Sequence, residues 1–128
     1  MWVTISARAS LAAGDGGNGA TVWTNATLRQ QMISMWGFLA NRYAGRDNIA
    51  GFEVMSEPRV DDAKAIHAFH LSACAAVWAS DPAAGCFVGP GKFYDRTHLT
   101  AEYVSVCMCC VIRCVSVCVC VCVCACVV

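Results

Sequence analysis

An almost pure alternation of valine and cysteine at the carboxyl end limits how much of this chain can form an ordinary folded domain. Residues 104–128 read VSVCMCCVIRCVSVCVCVCVCACVV and hold nine of the eleven cysteines of the 128-residue chain. Residues 1–103 keep only Cys74 and Cys86 and have an ordinary globular composition. The cysteine count therefore characterises the tail and does not indicate a disulfide-rich or thiolate-rich domain.

The tail has the pattern that a GT dinucleotide repeat produces. Such a repeat encodes alternating valine and cysteine in every forward reading frame, and no frame contains a stop. Val104 itself has a codon that begins with GT, the dinucleotide with which introns characteristically begin. We therefore interpret residues 104–128 as a low-complexity Val-Cys tail translated from an intron that was not removed.

Two other interpretations give the tail a function of its own. A transmembrane helix needs about 20 apolar residues, but Arg113 interrupts this segment, which is rich in valine and cysteine rather than leucine. A thiolate metal cluster can use the Cys-x-Cys spacing, because side chains at i and i+2 share one face of a strand. A Cys-rich protein associated with a membrane or a metal is thus the alternative if the tail is real. If the tail is made as protein, its apolar, β-prone pattern predicts that it aggregates and exchanges disulfides.

The charge of residues 1–103 argues against nucleic-acid and membrane partners, and their length argues against a complete barrel. Eight basic and nine acidic side chains provide no basic surface, so neither nucleic acid nor a membrane is an expected partner. One small domain fits this length, but a complete (β/α)₈ barrel of typically about 250 residues does not.

Residues 1–103 alternate between strand and helix patterns. Short apolar segments rich in β-branched residues predict strands at Trp2–Ala9, Ile49–Met55 and Cys86–Gly89. Helical periodicity separates them. Strand, helix, strand, helix, strand at this spacing predicts βαβ units and a parallel sheet.

The first predicted helix begins near Thr24 or Asn25, either of which can cap it, and ends at Gly45. Apolar residues then recur at steps of three and four, which predicts that one stripe faces the core. The members of this stripe are Leu28, Met32, Met35, Trp36, Leu39 and Tyr43.

The second predicted helix is capped by Asp61 or Asp62 and is stopped by the Asp-Pro pair at 81–82. His67 and His70 lie one turn apart on it, a spacing that can bind a metal. No carboxylate convincingly shares their face, so we expect surface or half-buried histidines and no metal. The residues predicted to face the core are Ile66, Phe69, Ala73, Val77 and Trp78.

A glutamate directly follows the second predicted strand, in the sequence Ser56-Glu57-Pro58. In parallel α/β barrels, catalytic side chains lie at the carboxyl ends of strands. Pro58 stops the strand and fixes the direction in which Glu57 leaves it. Partly apolar surroundings favour the neutral carboxyl group that a general acid needs. From these residues alone, a solvated loop glutamate is an equal alternative.

Residues Met35–Arg59 (MWGFLANRYAGRDNIAGFEVMSEPR) resemble the signature of glycoside hydrolase family 5, the cellulase family. In that family a helix with a tryptophan and an Ala-x-Arg-Tyr sequence precedes strand four, which ends in Asn-Glu-Pro. Here the helix supplies Trp36 and Ala40–Tyr43, and the strand ends in Ser-Glu-Pro. The resemblance covers about Trp2–Tyr103, strands three to five of eight. It implies an α/β fold that is an incomplete fragment of a (β/α)₈ TIM barrel, followed by the Val/Cys tail.

The resemblance also implies a function. The parent enzyme would be a retaining glycoside hydrolase that cleaves O-glycosyl bonds in a β-linked polysaccharide, a glucan or a mannan, without any cofactor. Glu57 matches the family's acid/base residue, which protonates the glycosidic oxygen and later activates water. The expected partner is a polysaccharide or oligosaccharide substrate, and an extracellular location fits the parent enzyme.

Four further residues are candidates for substrate binding by the same resemblance. Ser56 stands where most members have the asparagine that bonds the sugar 2-hydroxyl, and Arg8 falls near the histidine of strand three. Trp23 and Tyr94 can act as sugar-stacking platforms, with ordinary packing as the alternative. The departures at Ser56 and Arg8 motivate a second hypothesis, a non-catalytic barrel relative that binds carbohydrate.

Retaining hydrolysis needs two carboxyl groups about 5–5.5 Å apart. The family's nucleophile follows strand seven, whereas the resemblance ends at strand five. Three βα units cannot close a barrel or cover both faces of their sheet. We therefore expect the chain as written to be inactive and poorly soluble. Glu53 lies four residues before Glu57 on the same strand face, and we expect it to point into the barrel interior and to pair with a basic group.

Overall fold

The computed structural model describes residues 3–8, 20–56, 58 and 60–90, in which strands and helices alternate. The strands are Val3–Arg8 (β1), Ile49–Ser56 (β2) and Gly85–Phe87 (β3), and the helices are Ala20–Thr24 (α1), Ala26–Tyr43 (α2) and Ala63–Ser80 (α3). The predicted alternation of three strands with two long helices is confirmed. The short helix α1 was not predicted.

The three strands form one parallel sheet in the order β1-β2-β3. Parallel neighbours need a crossover connection, and helices α2 and α3 provide one each. In the register, Ser6 is aligned with Glu53 and Glu53 with Phe87, while Phe52 is aligned with Cys86. The described part of the chain therefore has an α/β fold built around a small parallel sheet.

Both long helices pack on the same face of this sheet. The Trp36 ring of α2 lies 6.2 Å from the Phe52 ring of β2, centroid to centroid. Cys74 of α3 forms a disulfide with Cys86 of β3. Because Phe52 and Cys86 are register partners, their side chains point to the same side of the sheet. We call this side the helix face.

Helix α2 begins and ends as the sequence predicts. The Asn25 side-chain oxygen accepts hydrogen bonds from the backbone N–H groups of Thr27, at 3.0 Å, and Leu28, at 3.2 Å. These bonds satisfy two of the donors that the first turn leaves open. After Tyr43, Gly45 has a φ of 71°, a left-handed conformation that glycine adopts without strain and that commonly follows a helix. The choice between Thr24 and Asn25 is thereby resolved in favour of Asn25.

The core stripe of α2 departs from the prediction at Met35. Met32, Trp36 and Ala40 are buried, at successive steps of four residues. Met35 is 38% exposed, so its predicted place in the core is wrong. Met35 lies about 100° around the helix from Trp36, outside the arc between Ile33 and Leu39 that packs against the core.

Helix α3 is capped by Asp62, one of the two predicted candidates. Its carboxylate accepts hydrogen bonds from the backbone N–H groups of Lys64 and Ala65, each at 3.0 Å. The helix ends before Asp81, whose backbone N–H donates to the Val77 carbonyl oxygen. The Asp-Pro pair therefore stops the helix where the sequence indicates.

His70 is fully buried in the core, so the prediction of a surface or half-buried position is wrong for this residue. It lies on the same buried side of helix α3 as Ile66, Ala73 and Val77. Its ring centroid lies 5.7 Å from that of Phe69. Burial, with a smaller contribution from the nearby His67, lowers the pKa of His70 from 6.5 to about 3. The imidazole is therefore neutral at ordinary pH.

Strands β2 and β3 approach most closely at a pair of glycines. Gly51 has a φ of 152°, and a Cβ atom there would collide with the Gly85 carbonyl oxygen and lie 2.8 Å from the Phe87 ring. A Cβ at Gly85 would lie 2.7 Å from the Ala50 carbonyl oxygen. Only glycine fits between these two backbones.

Among the residues that the structure describes, no helix has both the length and the apolar character to cross a membrane.

Gly51→Ala should destabilise the fold by about 3 kcal/mol, since the new methyl group meets backbone atoms rather than a flexible side chain. Gly37→Ala in helix α2 is the matched control. The nearest atom to its added Cβ is the Ala76 carbonyl oxygen at 3.4 Å, and alanine favours the helix. This variant should stay within about 1 kcal/mol of the wild type. Urea unfolding measures both, and equal effects would contradict the close approach of β2 and β3.

The buried His70 predicts a loss of stability in mild acid. The unfolded chain binds a proton near pH 6.5 whereas the folded chain does so only near pH 3, so the free energy of unfolding falls as the pH drops below 6.5. Between about pH 7.5 and about pH 5.5 the histidine contributes a loss of about 1.4 kcal/mol. His70→Gln should remove this part of the pH dependence, whatever its effect at neutral pH. An unchanged slope in the variant would show that His70 is not the group responsible.

Candidate functional site

A row of three side chains crosses the sheet on the side away from the helices. Ser6, Glu53 and Phe87 are register partners on β1, β2 and β3. Side chains alternate along a strand, so Glu53 and Phe87 point opposite to Phe52 and Cys86 on the helix face. We call the side that carries this row the Glu53 face. Its central member is a carboxylate. The position of Glu53 in a barrel interior, and its pairing with a basic group, stay predictions.

The Glu53 carboxylate is tied to the neighbouring strand. The Ser6 hydroxyl donates a hydrogen bond to Glu53 Oε2 at 2.6 Å. A bond of this length to a carboxylate has the character of a charge-assisted hydrogen bond. The bond holds the Glu53 side chain across β1 and β2, and it identifies Ser6 as a partner that the sequence did not indicate.

The carboxyl ends of β1 and β2 bring two predicted site residues side by side. Arg8 and Ser56 are register partners, after a shift in the pairing between Ser6 and Arg8. Ser56 is half-buried. We call this end of the two strands the carboxyl edge. Two residues that are far apart in the sequence, and that were both predicted to bind substrate, therefore meet at one place.

The structure describes the residues on either side of the predicted acid/base residue. Strand β2 ends at Ser56, and Pro58 is fully buried. Glu57, between them, lies outside the described residues, as does Tyr94, and the Arg8 side chain is likewise not described. In the sequence, Glu57 directly follows Ser56, the last residue of the central strand.

Trp23 lies against helix α3. Its ring meets the Phe69 ring edge to face, with centroids 5.7 Å apart. Its backbone carbonyl oxygen accepts a hydrogen bond from the Arg29 guanidinium at 3.0 Å. These contacts give Trp23 a packing role, the alternative to sugar stacking, while its role as a sugar platform stays a prediction.

Within the described ranges, no cluster of three or more histidine, cysteine, aspartate or glutamate side chains is arranged to hold a metal ion. Cys74 and Cys86 are joined to each other, and Asp62 caps a helix. The polar side chains on the described part of the sheet include the Glu53 carboxylate and the hydroxyl groups of Ser6 and Ser56.

No family model matches the chain, and no curated protein sequence matches it. The functional interpretation therefore depends on the geometry of the carboxyl edge and on the resemblance of residues Met35–Arg59.

Ser6→Ala should lower the free energy of unfolding by about 1 kcal/mol, because Glu53 loses a hydrogen bond while water can replace part of it. Ser6→Thr keeps the hydroxyl group and suits a strand, so it should retain most of the stability. A double-mutant cycle with Glu53→Met, which keeps the length of the side chain but has no oxygen to accept the bond, isolates the coupling between the two side chains. Additive effects of Ser6→Ala and Glu53→Met would contradict the hydrogen bond.

Proposed function

We propose that this chain is part of a retaining glycoside hydrolase of the (β/α)₈ barrel type, which hydrolyses a β-linked glucan or mannan, and that Glu57 is its acid/base residue. The observation that carries the proposal is the position of Glu57 directly after Ser56, the last residue of the central parallel strand. Catalytic groups of parallel barrels lie at this end of the strands.

The arrangement of the layers supports a barrel over a doubly wound sheet. In a doubly wound fold, helices cover both faces of the sheet, and both faces are apolar. Among the described residues, both long helices pack on the helix face, and the other face carries the hydrogen-bonded pair of Ser6 and Glu53 beside Phe87. In a barrel the helices lie outside and such a face lines the interior.

In the proposed reaction, Glu57 would transfer a proton to the glycosidic oxygen. As an acid it would protonate the leaving oxygen while a second carboxylate attacks the sugar, and as a base it would then activate water. The second carboxylate would come from a strand beyond the part that the resemblance covers. The 128-residue polypeptide alone is therefore proposed to be inactive.

The pairing of Arg8 with Ser56 at the carboxyl edge suggests how a sugar would be held. The short Ser56 hydroxyl would bond a substrate hydroxyl group, and an arginine can only donate hydrogen bonds. The same two residues favour the second candidate, a barrel that binds carbohydrate without cleaving it. The two candidates differ in whether Glu57 transfers a proton.

Activity of the polypeptide encoded by the complete transcript tests the role of Glu57. Glu57→Gln should reduce kcat/KM on a soluble β-glucan by about 10²–10⁴-fold, the contribution of a general acid. With an aryl glycoside whose phenolate leaves without protonation, bond cleavage should be far less affected. Glu53→Gln is the control, and it should not alter this dependence on the leaving group.

Three outcomes would contradict this proposal in different ways. Equal losses on both substrates in Glu57→Gln would assign Glu57 a role other than proton transfer. Binding of the β-glucan without any turnover would favour the non-catalytic alternative. Turnover by the 128-residue chain alone, lost in Glu57→Gln, would show that no later strand is needed.

A further inference from the structure

One covalent bond joins the helix layer to the sheet. Cys74, on helix α3, and Cys86, on strand β3, form a disulfide with their Cα atoms 5.9 Å apart. This separation lies within the range of about 4.4–6.8 Å that disulfides require. The two residues are only 12 positions apart, so the bond closes the turn that leads from α3 into β3.

Both cysteines lie inside the core. Cys74 is fully buried, and Cys86 is 5% exposed. They belong to the same cluster as Phe52, Ala73 and Val77. A reductant, or another thiol, can reach the two sulfur atoms only when α3 and β3 separate locally.

We propose that this chain folds in an oxidising compartment, where Cys74 and Cys86 become a permanent crosslink between α3 and β3. The proposal does not rest on the glycosidase activity. Disulfides persist in secreted proteins, in the lumen of the endoplasmic reticulum and in the bacterial periplasm, whereas the cytosol keeps thiols reduced. Two reduced cysteines packed as small apolar residues are the alternative that a cytosolic protein would show.

The oxidation is a thiol–disulfide exchange with a disulfide donor, such as oxidised glutathione or the oxidised form of a thiol oxidoreductase. One cysteine thiolate attacks the donor disulfide, which forms a mixed disulfide and releases one donor thiol. The thiolate of the other cysteine then attacks the mixed disulfide, forms the bond between Cys74 and Cys86 and releases the second donor thiol. The chain loses two protons and two electrons, and the donor gains them.

The nine cysteines of residues 104–128 compete as partners for Cys74 and Cys86. Selective formation of the Cys74–Cys86 disulfide is therefore a strict test of the proposal. If the tail is present as protein, eleven thiols compete for partners, and random pairing would seldom join Cys74 to Cys86. The buried position selects this pair, because folding of α3 onto β3 brings these two sulfur atoms together. Once formed, the bond is shielded from exchange by the surrounding core.

Peptide mapping of the full chain, exported to the bacterial periplasm, tests the proposal. Free thiols are first blocked with N-ethylmaleimide, and the chain is digested without reduction. Trypsin alone is insufficient, since residues 65–92 contain no lysine or arginine before Lys92 and both cysteines stay in one peptide. A second protease that cleaves before Asp81 leaves two peptides held together only by the disulfide.

We expect the linked pair of peptides in the exported chain. Dithiothreitol should cleave the bond at least about a hundredfold more slowly in native buffer than in urea, because the core must open first. Blocked Cys74 and Cys86 in the exported chain would overturn the proposal. A disulfide from either residue to a cysteine of the tail would overturn it as well.

Variants distinguish a disulfide between Cys74 and Cys86 from two reduced cysteines that only pack against each other. Dithiothreitol should lower the urea midpoint of the wild type but not that of the Cys74→Ala/Cys86→Ala variant, which has no bond to lose. Val77→Ala is the matched control, since it removes a fully buried side chain from the same helix and leaves the bond in place, so its midpoint should still fall on reduction. Equal responses of the wild type and the double variant would contradict the crosslink.

Discussion

The alternation of side chains along the central strand β2 is the constraint on which the rest of the structure depends. Phe52 points to the helix face, where Trp36 of α2 packs against it, and its register partner Cys86 is bonded to α3. Both helices are thereby fixed on one side of the sheet. The next residue, Glu53, must point to the other side. A shift of one residue in this strand would exchange the two faces and bury a carboxylate under the helices.

The difference between the helix face and the Glu53 face also determines where the polar side chains of the candidate site lie. The helix face supplies stability through apolar packing and a covalent bond. The Glu53 face carries the polar contact between β1 and β2, where Ser6 donates to Glu53. At the carboxyl edge, Arg8 and Ser56 lie side by side, and Glu57 follows immediately in the chain. Strand β2, which ends immediately before Glu57 in the sequence, pairs with a neighbouring strand on each side.

The sequence predicts the local structure well where a single residue determines it. Asn25 and Asp62 cap their helices, and Gly45 follows α2 in the left-handed conformation, because capping depends on neighbours within one turn. Side-chain contacts between distant segments were not predictable. The burial of His70, the partnership of Ser6 with Glu53 and the disulfide each depend on how α3 or β1 lies against the rest of the fold. Within the candidate site, Arg8 and Ser56 are brought together by the parallel sheet that the sequence predicted, since the carboxyl ends of its strands share one edge.

The sequence of the mature transcript across the codon for Val104 tests most directly whether this parallel sheet is part of a larger barrel. We expect the spliced message to continue in frame after Tyr103 into further strand and helix patterns, including a later strand that is followed by a glutamate. A mature message that retains the GT repeat and encodes the Val-Cys segment would contradict it.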